Sequence, residues 1–238
     1  MTAALEGITV VTLEHAIAAP FCTRQLADLG ARVIKVERPG VGDFARAYDG
    51  RVRGLASHFV WTNRSKESLT LDVKHAQAPA ILDRLLAKAD VLVQNLAPGA
   101  AARLGLSYEA LSGNHPRLVV CDISGYGADG PYRDKKAYDL LIQSESGFVS
   151  ITGTPDEPSK AGCSIADIAA ELKIRMRLPR SSEMTAKRPT PQARKSIDSY
   201  MFEAGMRPAT SQRCAAASVR AASASTCCRA AASSLNSS

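Results

Sequence analysis

The sequence predicts an α/β fold, a Rossmann-like, mainly parallel sheet with flanking helices. Two patterns lead to this prediction. Short β-branched runs alternate with helical patterns over residues 1–170. The first strand, the first helix and the second strand predicted in this way form a βαβ unit. The composition is that of a globular protein, since 45% of the 238 residues are hydrophobic and 22% are charged. The chain is therefore long and apolar enough to form a packed core.

The first βαβ unit is the clearest. Residues 8–13 predict a buried strand, and residues 21–29 space their apolar side chains as a helix does. Pro20 suits the first helical turn and Gly30 suits the helix end, because each residue type favours that position. Residues 32–37 predict the second strand.

The remaining elements follow in the same alternating order. Residues 76–89 predict an amphipathic helix, and residues 137–147 predict another helical segment. Residues 97–99 and 112–114 are expected to punctuate loops and short helices, and irregular loops are expected after Tyr126 and at 153–160. A further helix is predicted to begin within 164–167, where small polar residues precede an apolar run. The other predicted strands are 68–73, 91–95 and 117–124.

The net charge of +7 is unevenly distributed. Residues 1–170 hold 18 Lys and Arg against 19 Asp and Glu, whereas residues 171–238 hold 12 against 4. The Arg/Ser/Ala-rich segment 171–238 has few large apolar residues, so we expect it to be a separate, disordered basic tail. The alternative, a basic arm for RNA, lacks interleaved aromatic residues, so no nucleic-acid partner is expected. No apolar run of membrane-spanning length and no signal peptide is recognisable, which predicts a cytoplasmic protein without a membrane partner.

Two common kinds of cofactor site are not expected. The six cysteines form no CxxC pair and the four histidines are dispersed, so no metal site is predicted. Residues 14–20, which join the first strand to the first helix, contain no glycine. A dinucleotide would need glycines there, so NAD is not expected as a cofactor.

Polar and basic residues fall where the predicted strands end, the usual location of ligands in open α/β sheets. Several cations converging from separate strands would suit a ligand with separated phosphates. The alternative is that each is a solvated surface charge. The residues are Lys35, Arg38, Asp72, Lys74, Asn95, Arg103, Lys135 and Lys136.

Two further features bear on chemistry. The loop Gly125, Tyr126, Gly127 has glycines that would let backbone N–H groups face an anion or thioester oxygen, although a plain turn is the alternative. Asp167 is a lone carboxylate among small apolar residues at the predicted helix start. It is either a structural N-cap or a nucleophile kept ionised by the helix amino terminus.

Together these segments resemble the family III CoA-transferases of the CaiB/BaiF type, which include formyl-CoA transferase and α-methylacyl-CoA racemase. The resemblance is specific as a combination and runs from about residue 4 to residue 170. The matching segments, in order, are 5–8 with Ala19 and Pro20, 29–40, 63–68 with 71–72, 93–99, 125–131, 137–139 and the segment ending at Asp167.

The resemblance implies covalent catalysis by Asp167 through a mixed aspartyl anhydride and an aspartyl-CoA thioester. The Gly125–Gly127 loop would cover this intermediate. Coenzyme A is implied as a substrate, exchanged between an acyl-CoA and a carboxylic acid, with no tightly bound cofactor. The implied CoA contacts are Ile17, Ala18, Arg38, Leu71, Asp72, Val73, Lys74, Asn95, Leu96, Ala97, Arg103, Lys136, Ala137, Tyr138 and Asp139.

Two residues bear on the reaction and its substrates. Ile17 stands where formyl-CoA transferase has a glutamine, which argues against oxalate and formate and leaves dicarboxylates such as succinate or glutarate. Tyr138 stands where the racemases have a catalytic histidine. A phenol with a pKa of about 10 is a poor proton shuttle at neutral pH, which favours transfer over racemisation. The alternatives are an acyl-CoA racemase and a non-catalytic CoA-binding protein.

Members of this family are longer, have a second domain and form interlocked homodimers. Here the resemblance ends after residue 170. We therefore expect a truncated form, holding the amino-terminal part of the large domain in residues 1–170, with residues 171–238 as a frameshift product and with uncertain activity.

Overall fold

The computed structural model describes residues 3–127 and 130–175. Its centre is a five-stranded sheet in the order β3-β2-β1-β4-β5, and every neighbouring pair is parallel. The predicted α/β fold with a parallel sheet is therefore confirmed. The strands are β1 (Thr9–Leu13), β2 (Arg32–Glu37), β3 (Lys66–Thr70), β4 (Val91–Gln94) and β5 (Val119–Asp122).

Helices connect the strands and cover the sheet. Residue 170 lies inside the last helix, which continues to Arg175. The predicted disorder of the tail falls mostly on residues 176–238, which lie outside the described residues. The helices are α1 (Ala18–Asp28), α2 (Ser57–Asn63), α3 (Ala78–Leu86), α4 (Ala100–Arg103), α5 (Tyr108–Leu111), α6 (Asp139–Glu145) and α7 (Ile165–Arg175).

The two faces of the sheet carry separate apolar clusters, because successive side chains of a strand point to opposite faces. On one face, Val10 and Val33 pack with Leu26 of α1. On the other, Val11 packs with Leu82 of α3. In the sheet, Val10 is paired with Val33 of β2 and with Val91 of β4. The runs of β-branched residues thus account for the buried central strands.

The structure differs from the predicted elements around residues 44–70. Strand β3 begins at Lys66 and ends at Thr70, so residues 71–74 follow the strand instead of belonging to it. Helix α2 and the 3-10 helix Phe44–Ala47 were not predicted. Both start beside an acidic side chain: Asp43 accepts from the Ala45 N–H, and Asp49 accepts from the N–H and hydroxyl of Ser57. These local carboxylates stabilise short helices that have no clear apolar period.

The strand order sets the place of a ligand crevice. The chain moves outward from β1 to β2 and β3, and then crosses to the other side of β1 with β4. Ligands of open α/β sheets bind beyond the carboxyl ends of the strands at such a reversal. The loops after β1 and β4 therefore border the expected site. Within the described residues, no helix is long and apolar enough to cross a membrane.

Candidate active site

The loops after β1 and β4 are joined by one side-chain amide. The His15 N–H donates to Asn95 Oδ1 and Asn95 Nδ2 donates to the His15 carbonyl, both at 2.9 Å. The next residue, Ala16, has a φ of 63°, and its N–H donates to Asp43 Oδ1 at 3.1 Å. Such a φ is unfavourable for a residue with a Cβ, so these contacts hold the loop in a strained conformation.

A buried group of four charges lies beneath this loop. Lys66 Nζ donates to Glu14 Oε1 at 2.7 Å, and Lys35 Nζ donates to Asp43 Oδ2 at 2.6 Å. Asn63 Oδ1 accepts from both lysines, at 2.7 and 3.2 Å. All four charged side chains are at most 2% exposed. The prediction that Lys35 offers its charge to a ligand is therefore wrong, since the protein uses that charge internally.

The ionisation of this buried group is set by its pairing. Burial alone would raise the pKa of Glu14, but the charges of Lys66 and Lys35 outweigh it and lower that pKa. Burial would also raise the pKa of Asp43, whereas His15, Lys35 and the Ala45 N–H hold it below its usual range. Burial lowers the pKa of Lys66 despite the charge of Glu14. Both carboxyl groups are consequently ionised at neutral pH.

A third buried carboxylate, Glu37, ends β2. Burial would raise its pKa, but hydrogen bonds from Arg46, Ser68 and the Asp43 N–H lower it to about 2. The Arg46 guanidinium binds it through two hydrogen bonds of 2.9 and 2.7 Å. This carboxylate therefore anchors the 3-10 helix Phe44–Ala47 to the sheet.

Two clefts of the described residues reach the carboxyl edge of the sheet. The larger, of about 380 Å³, runs along β5, from residues 116–120 at the amino end of that strand to residues 122–127 beyond its carboxyl end, and its volume is usual for a ligand pocket. The smaller, of about 60 Å³, lies beyond β1, β2 and β3. Predicted CoA contacts in the larger cleft are Leu96 and Ala97, with Gly127 of the glycine loop; those in the smaller cleft are Arg38, Leu71, Val73 and Leu96.

Other predicted CoA contacts do not line either of these two clefts. Ile17 is 6% exposed and precedes α1, which begins with the half-buried Ala18. The Asp72 carboxylate accepts from the Lys74 N–H at 3.0 Å. Four predicted cations are exposed at the carboxyl side of the sheet, and their role in binding phosphates stays a prediction. They are Arg38, Lys74, Arg103 and Lys136.

The loop after β5 is tied to α6. The Gly127 N–H donates to Ser124 Oγ at 3.0 Å, and the Tyr126 hydroxyl donates to Glu145 of α6 at 2.6 Å. Gly125 lies so close to Ala137 that a Cβ at residue 125 would collide with the Ala137 Cβ. Packing therefore requires a glycine at residue 125. The interpretation of this loop as a plain turn does not explain that requirement. Lys135 pairs with Glu145 and lies over the rings of Tyr126 and Tyr132.

Asp167 is the third residue of α7 and is half-buried. Burial, and then the negative charge of Asp139, raise its pKa to about 6. Asp139 Oδ1 accepts from the N–H groups of Ala166 and Asp167, at 2.9 and 3.3 Å. The N-cap interpretation of Asp167 is therefore wrong, because Asp139 caps this helix. At this helix start the pKa of Asp167 is thus raised and not lowered.

Tyr48 is a site residue that sequence reasoning missed. Burial, followed by the charge of Asp43 and then by Asp167 and Tyr138, raises the pKa of its hydroxyl. It belongs to a row of rings, with centroids 5.3 Å apart for His15 and Phe44 and 6.0 Å apart for Phe44 and Tyr48. No motif in the sequence marks this tyrosine, because its neighbours in the site come from distant segments.

Comparisons with known proteins identify the family to which the chain is similar. The CoA-transferase family III model matches residues 5–219. Succinate–glutarate CoA-transferase of Agrobacterium fabrum is 43% identical over 173 residues, covering 69% of this chain and 43% of that protein. Acetyl-CoA:oxalate CoA-transferase of Acetobacter aceti is 42% identical over 165 residues, covering 68% and 42%. The chain thus spans less than half the length of these curated relatives.

A solved structure shows the same fold. A CaiB/BaiF family protein from Brucella suis superposes with a TM-score of 0.68 at 31% identity, covering 86% of this chain and 58% of that one. The family match extends past residue 170, where the resemblance was expected to end, and the division at that residue stays a prediction. In the part of the chain that the structure describes, no cluster of His, Cys, Asp or Glu could hold a metal ion. The parallel sheet and the match over residues 5–219 show that this chain belongs to CoA-transferase family III.

Proposed function

We propose that this protein transfers CoA from an acyl-CoA thioester to a free carboxylic acid, with Asp167 as the nucleophile. One observation carries the proposal: Asp167 is a half-buried carboxylate in the first turn of α7, with a pKa raised to about 6. With that pKa, about nine-tenths of Asp167 is ionised at pH 7. A carboxylate that is ionised yet poorly solvated is more reactive than one in water.

The proposed reaction has four steps. An Asp167 oxygen attacks the thioester carbon, forming a C–O bond and breaking the C–S bond, and CoA leaves as a thiolate. The thiolate then attacks the Asp167 carboxyl carbon, releasing the donor acid and leaving an aspartyl-CoA thioester. An acceptor carboxylate attacks this thioester, forming a new anhydride and freeing the thiolate. The thiolate finally attacks the acceptor's acyl carbon, which restores Asp167 and releases the new acyl-CoA.

The anhydride would need protection from water, and the loop after β5 is suited to this. The Gly127 N–H donates to Ser124 Oγ within the loop, and Tyr126 and Gly125 hold the loop against α6. A loop that excludes water limits hydrolysis of a reactive acyl group. We assign the covering role to residues 125–127.

For the acid substrates we propose dicarboxylates longer than oxalate. The similar proteins are named for succinate and glutarate in one case and for oxalate in the other. Ile17 favours the first kind, because it stands where formyl-CoA transferase has a glutamine and its buried apolar side chain cannot donate a hydrogen bond as that glutamine can. Transfer to glutarate is therefore expected to exceed transfer to oxalate.

The test is a CoA-transfer assay with the 238-residue protein, succinyl-CoA and a panel of carboxylic acids. We expect transfer by the wild type, none by Asp167→Ala, and normal transfer by the control Asp156→Ala, which removes an exposed carboxylate. Hydroxylamine should attack the activated Asp167 carbonyl of either intermediate, release the donor acid or CoA, and leave a hydroxamate on the peptide containing Asp167. Equal transfer by the wild type and Asp167→Ala would overturn the assignment.

Two alternatives predict different results. A racemase would exchange the α-proton of an acyl-CoA with deuterated water, which Tyr138 at the site disfavours. A non-catalytic CoA-binding protein would bind CoA without forming a hydroxamate at Asp167 in the presence of hydroxylamine. The same samples, examined by mass spectrometry, distinguish all three functions.

A further inference from the structure

The amino terminus of α7 is held by a side chain from a different helix. Asp139 begins α6 and is 28 residues from Asp167 in sequence. Its Oδ1 accepts the N–H groups of both Ala166 and Asp167. Because these donors belong to the first turn of α7, Asp139 fixes where that turn begins and how Asp167 is presented.

The other oxygen of Asp139 is also engaged. Asp139 Oδ2 accepts from Gln143 Nε2 at 2.5 Å, and Gln143 Oε1 in turn accepts from the Ala161 N–H at 3.2 Å. Gln143 is 1% exposed, so this bridge is shielded from water. The bridge orients the Asp139 carboxylate and links α6 to the segment that leads into α7.

The charged surroundings of Asp167 single out the same residue. Helix α7 packs against α1 and α6. On α1, the charged side chains of Arg24 and Asp28 pair with each other at 2.9 Å. Two exposed phenols, Tyr48 and Tyr138, complete the titratable groups there, and Asp167 and Tyr138 both act electrostatically on Tyr48. Among the described side chains, Asp139 therefore supplies the charge that acts on the nucleophile.

We propose that Asp139 is a positioning residue for Asp167, whose hydrogen bonds set the start of α7 and whose negative charge makes the neighbouring carboxylate a stronger nucleophile. This inference rests on the proposed function, in which Asp167 attacks the thioester. It assigns the Asp139 carboxylate a role other than the CoA contact that the family resemblance implies, and that contact stays a prediction.

Two substitutions separate the two parts of the role. Asp139→Asn keeps an oxygen for the N–H groups of Ala166 and Asp167 but removes the charge. Asp139→Ala removes both. Since Asp139→Asn also disturbs the contact with Gln143, Gln143→Leu is the matched control, because it breaks that contact and keeps the charge.

The first measurement does not depend on activity. In the full chain labelled with carboxyl-¹³C aspartate, the Asp167 resonance is assigned by its loss in Asp167→Asn and is then titrated by NMR. We expect a pKa of about 6 in the wild type and in Gln143→Leu. In Asp139→Asn it should fall but stay above 3.8, because burial is the larger cause of the raised value. An unchanged pKa in Asp139→Asn would overturn the charge role.

The second measurement is the pH profile of kcat. In Asp139→Asn the acid limb should move to lower pH, and the plateau should fall roughly threefold as the nucleophile becomes less basic. Asp139→Ala should lose on the order of a hundredfold, because Asp167 is no longer held in place. Equal rates in the two variants would overturn the positioning role. A wild type that shows the expected titration but transfers no CoA would contradict the proposed function and leave the Asp139–Asp167 coupling established.

Discussion

The amide of Asn95 forms two hydrogen bonds with the backbone of His15 across the point where the strand order reverses. Both polar atoms of the Asn95 side chain are used, so the loops after β1 and β4 are fixed relative to each other. The side chain thereby shapes the entrance to the crevice, and its contact with CoA stays a prediction.

Substituting Asn95 tests this link. Asn95→Ala should lower the free energy of unfolding by about 1–3 kcal/mol, since it leaves the His15 N–H and carbonyl without these partners. Urea denaturation measures the change. Asn114→Ala is the control, because Asn114 is exposed, and it should have little effect. Equal stability of the two variants would contradict the role of Asn95.

The buried charges make a second prediction. Lys66→Met should destabilise the protein by about 3–5 kcal/mol, because it leaves Glu14 buried with Lys35 at 3.7 Å as its remaining cation. The double variant Lys66→Met, Glu14→Gln should recover part of the loss, since it removes the uncompensated charge. Thermal unfolding of both variants is the measurement. A double variant less stable than Lys66→Met would contradict this pairing.

Asp167 should reduce stability at neutral pH. Its folded pKa of about 6 exceeds the ordinary 3.8, so the folded state binds the proton more tightly. The stability from this proton is fully present below about pH 4 and is lost as pH rises through 6. Asp167→Asn should therefore stabilise the protein at pH 7.5 by up to about 3 kcal/mol. The gain should disappear at pH 3.5, and the same gain at both pH values would contradict the raised pKa.

Packing at Gly125 makes a fourth prediction. Gly125→Ala should destabilise the protein by about 1–3 kcal/mol, because the new Cβ collides with Ala137. Gly113→Ala is the matched control, since a Cβ at residue 113 meets open space. Combining Gly125→Ala with Ala137→Gly should restore much of the stability. Unfolding temperatures measure all three, and no recovery in the double variant would contradict this contact.

The exposed cations at the carboxyl side of the sheet should act on CoA binding. Arg38→Gln and Arg103→Gln should each raise the KM for acyl-CoA several-fold and leave kcat nearly unchanged, since lost phosphate contacts weaken substrate and transition state alike. Arg117→Gln is the control, because Arg117 precedes β5 and so lies at the amino edge of the sheet, away from the carboxyl ends of the strands. Equal KM values in all three variants would favour solvated surface charges.

Much of the fold follows from local patterns. The β-branched runs around Val10 and Val33 predict buried strands because central parallel strands are covered on both faces. The position of Asp167 also follows locally, since a carboxylate before an alanine-rich run marks a helix start.

Other features depend on contacts between distant segments. Lys35 has the sequence pattern of a cation at a strand end, but Asp43 neutralises its charge and Asn63 accepts a second hydrogen bond from the buried ammonium group. The role of Asp139 exists only once α6 and α7 are packed together. Neither contact is marked by a hydrophobic period or a motif in the sequence. Each joins residues that are far apart in the chain and that only the folded structure brings together.

The central position of β1 has a consequence for synthesis of the chain. Because β2 and β3 lie on one side of β1, that half of the sheet can form while later residues are still being made. The charges of Glu14, Lys35, Asp43 and Lys66 all belong to this half, so they can be neutralised early on the ribosome. The link through Asn95 and the contact between Asp139 and Asp167 close only afterwards. Within the described residues, the first turn of α7 with Asp167 is thus put in place after the buried charges have been paired.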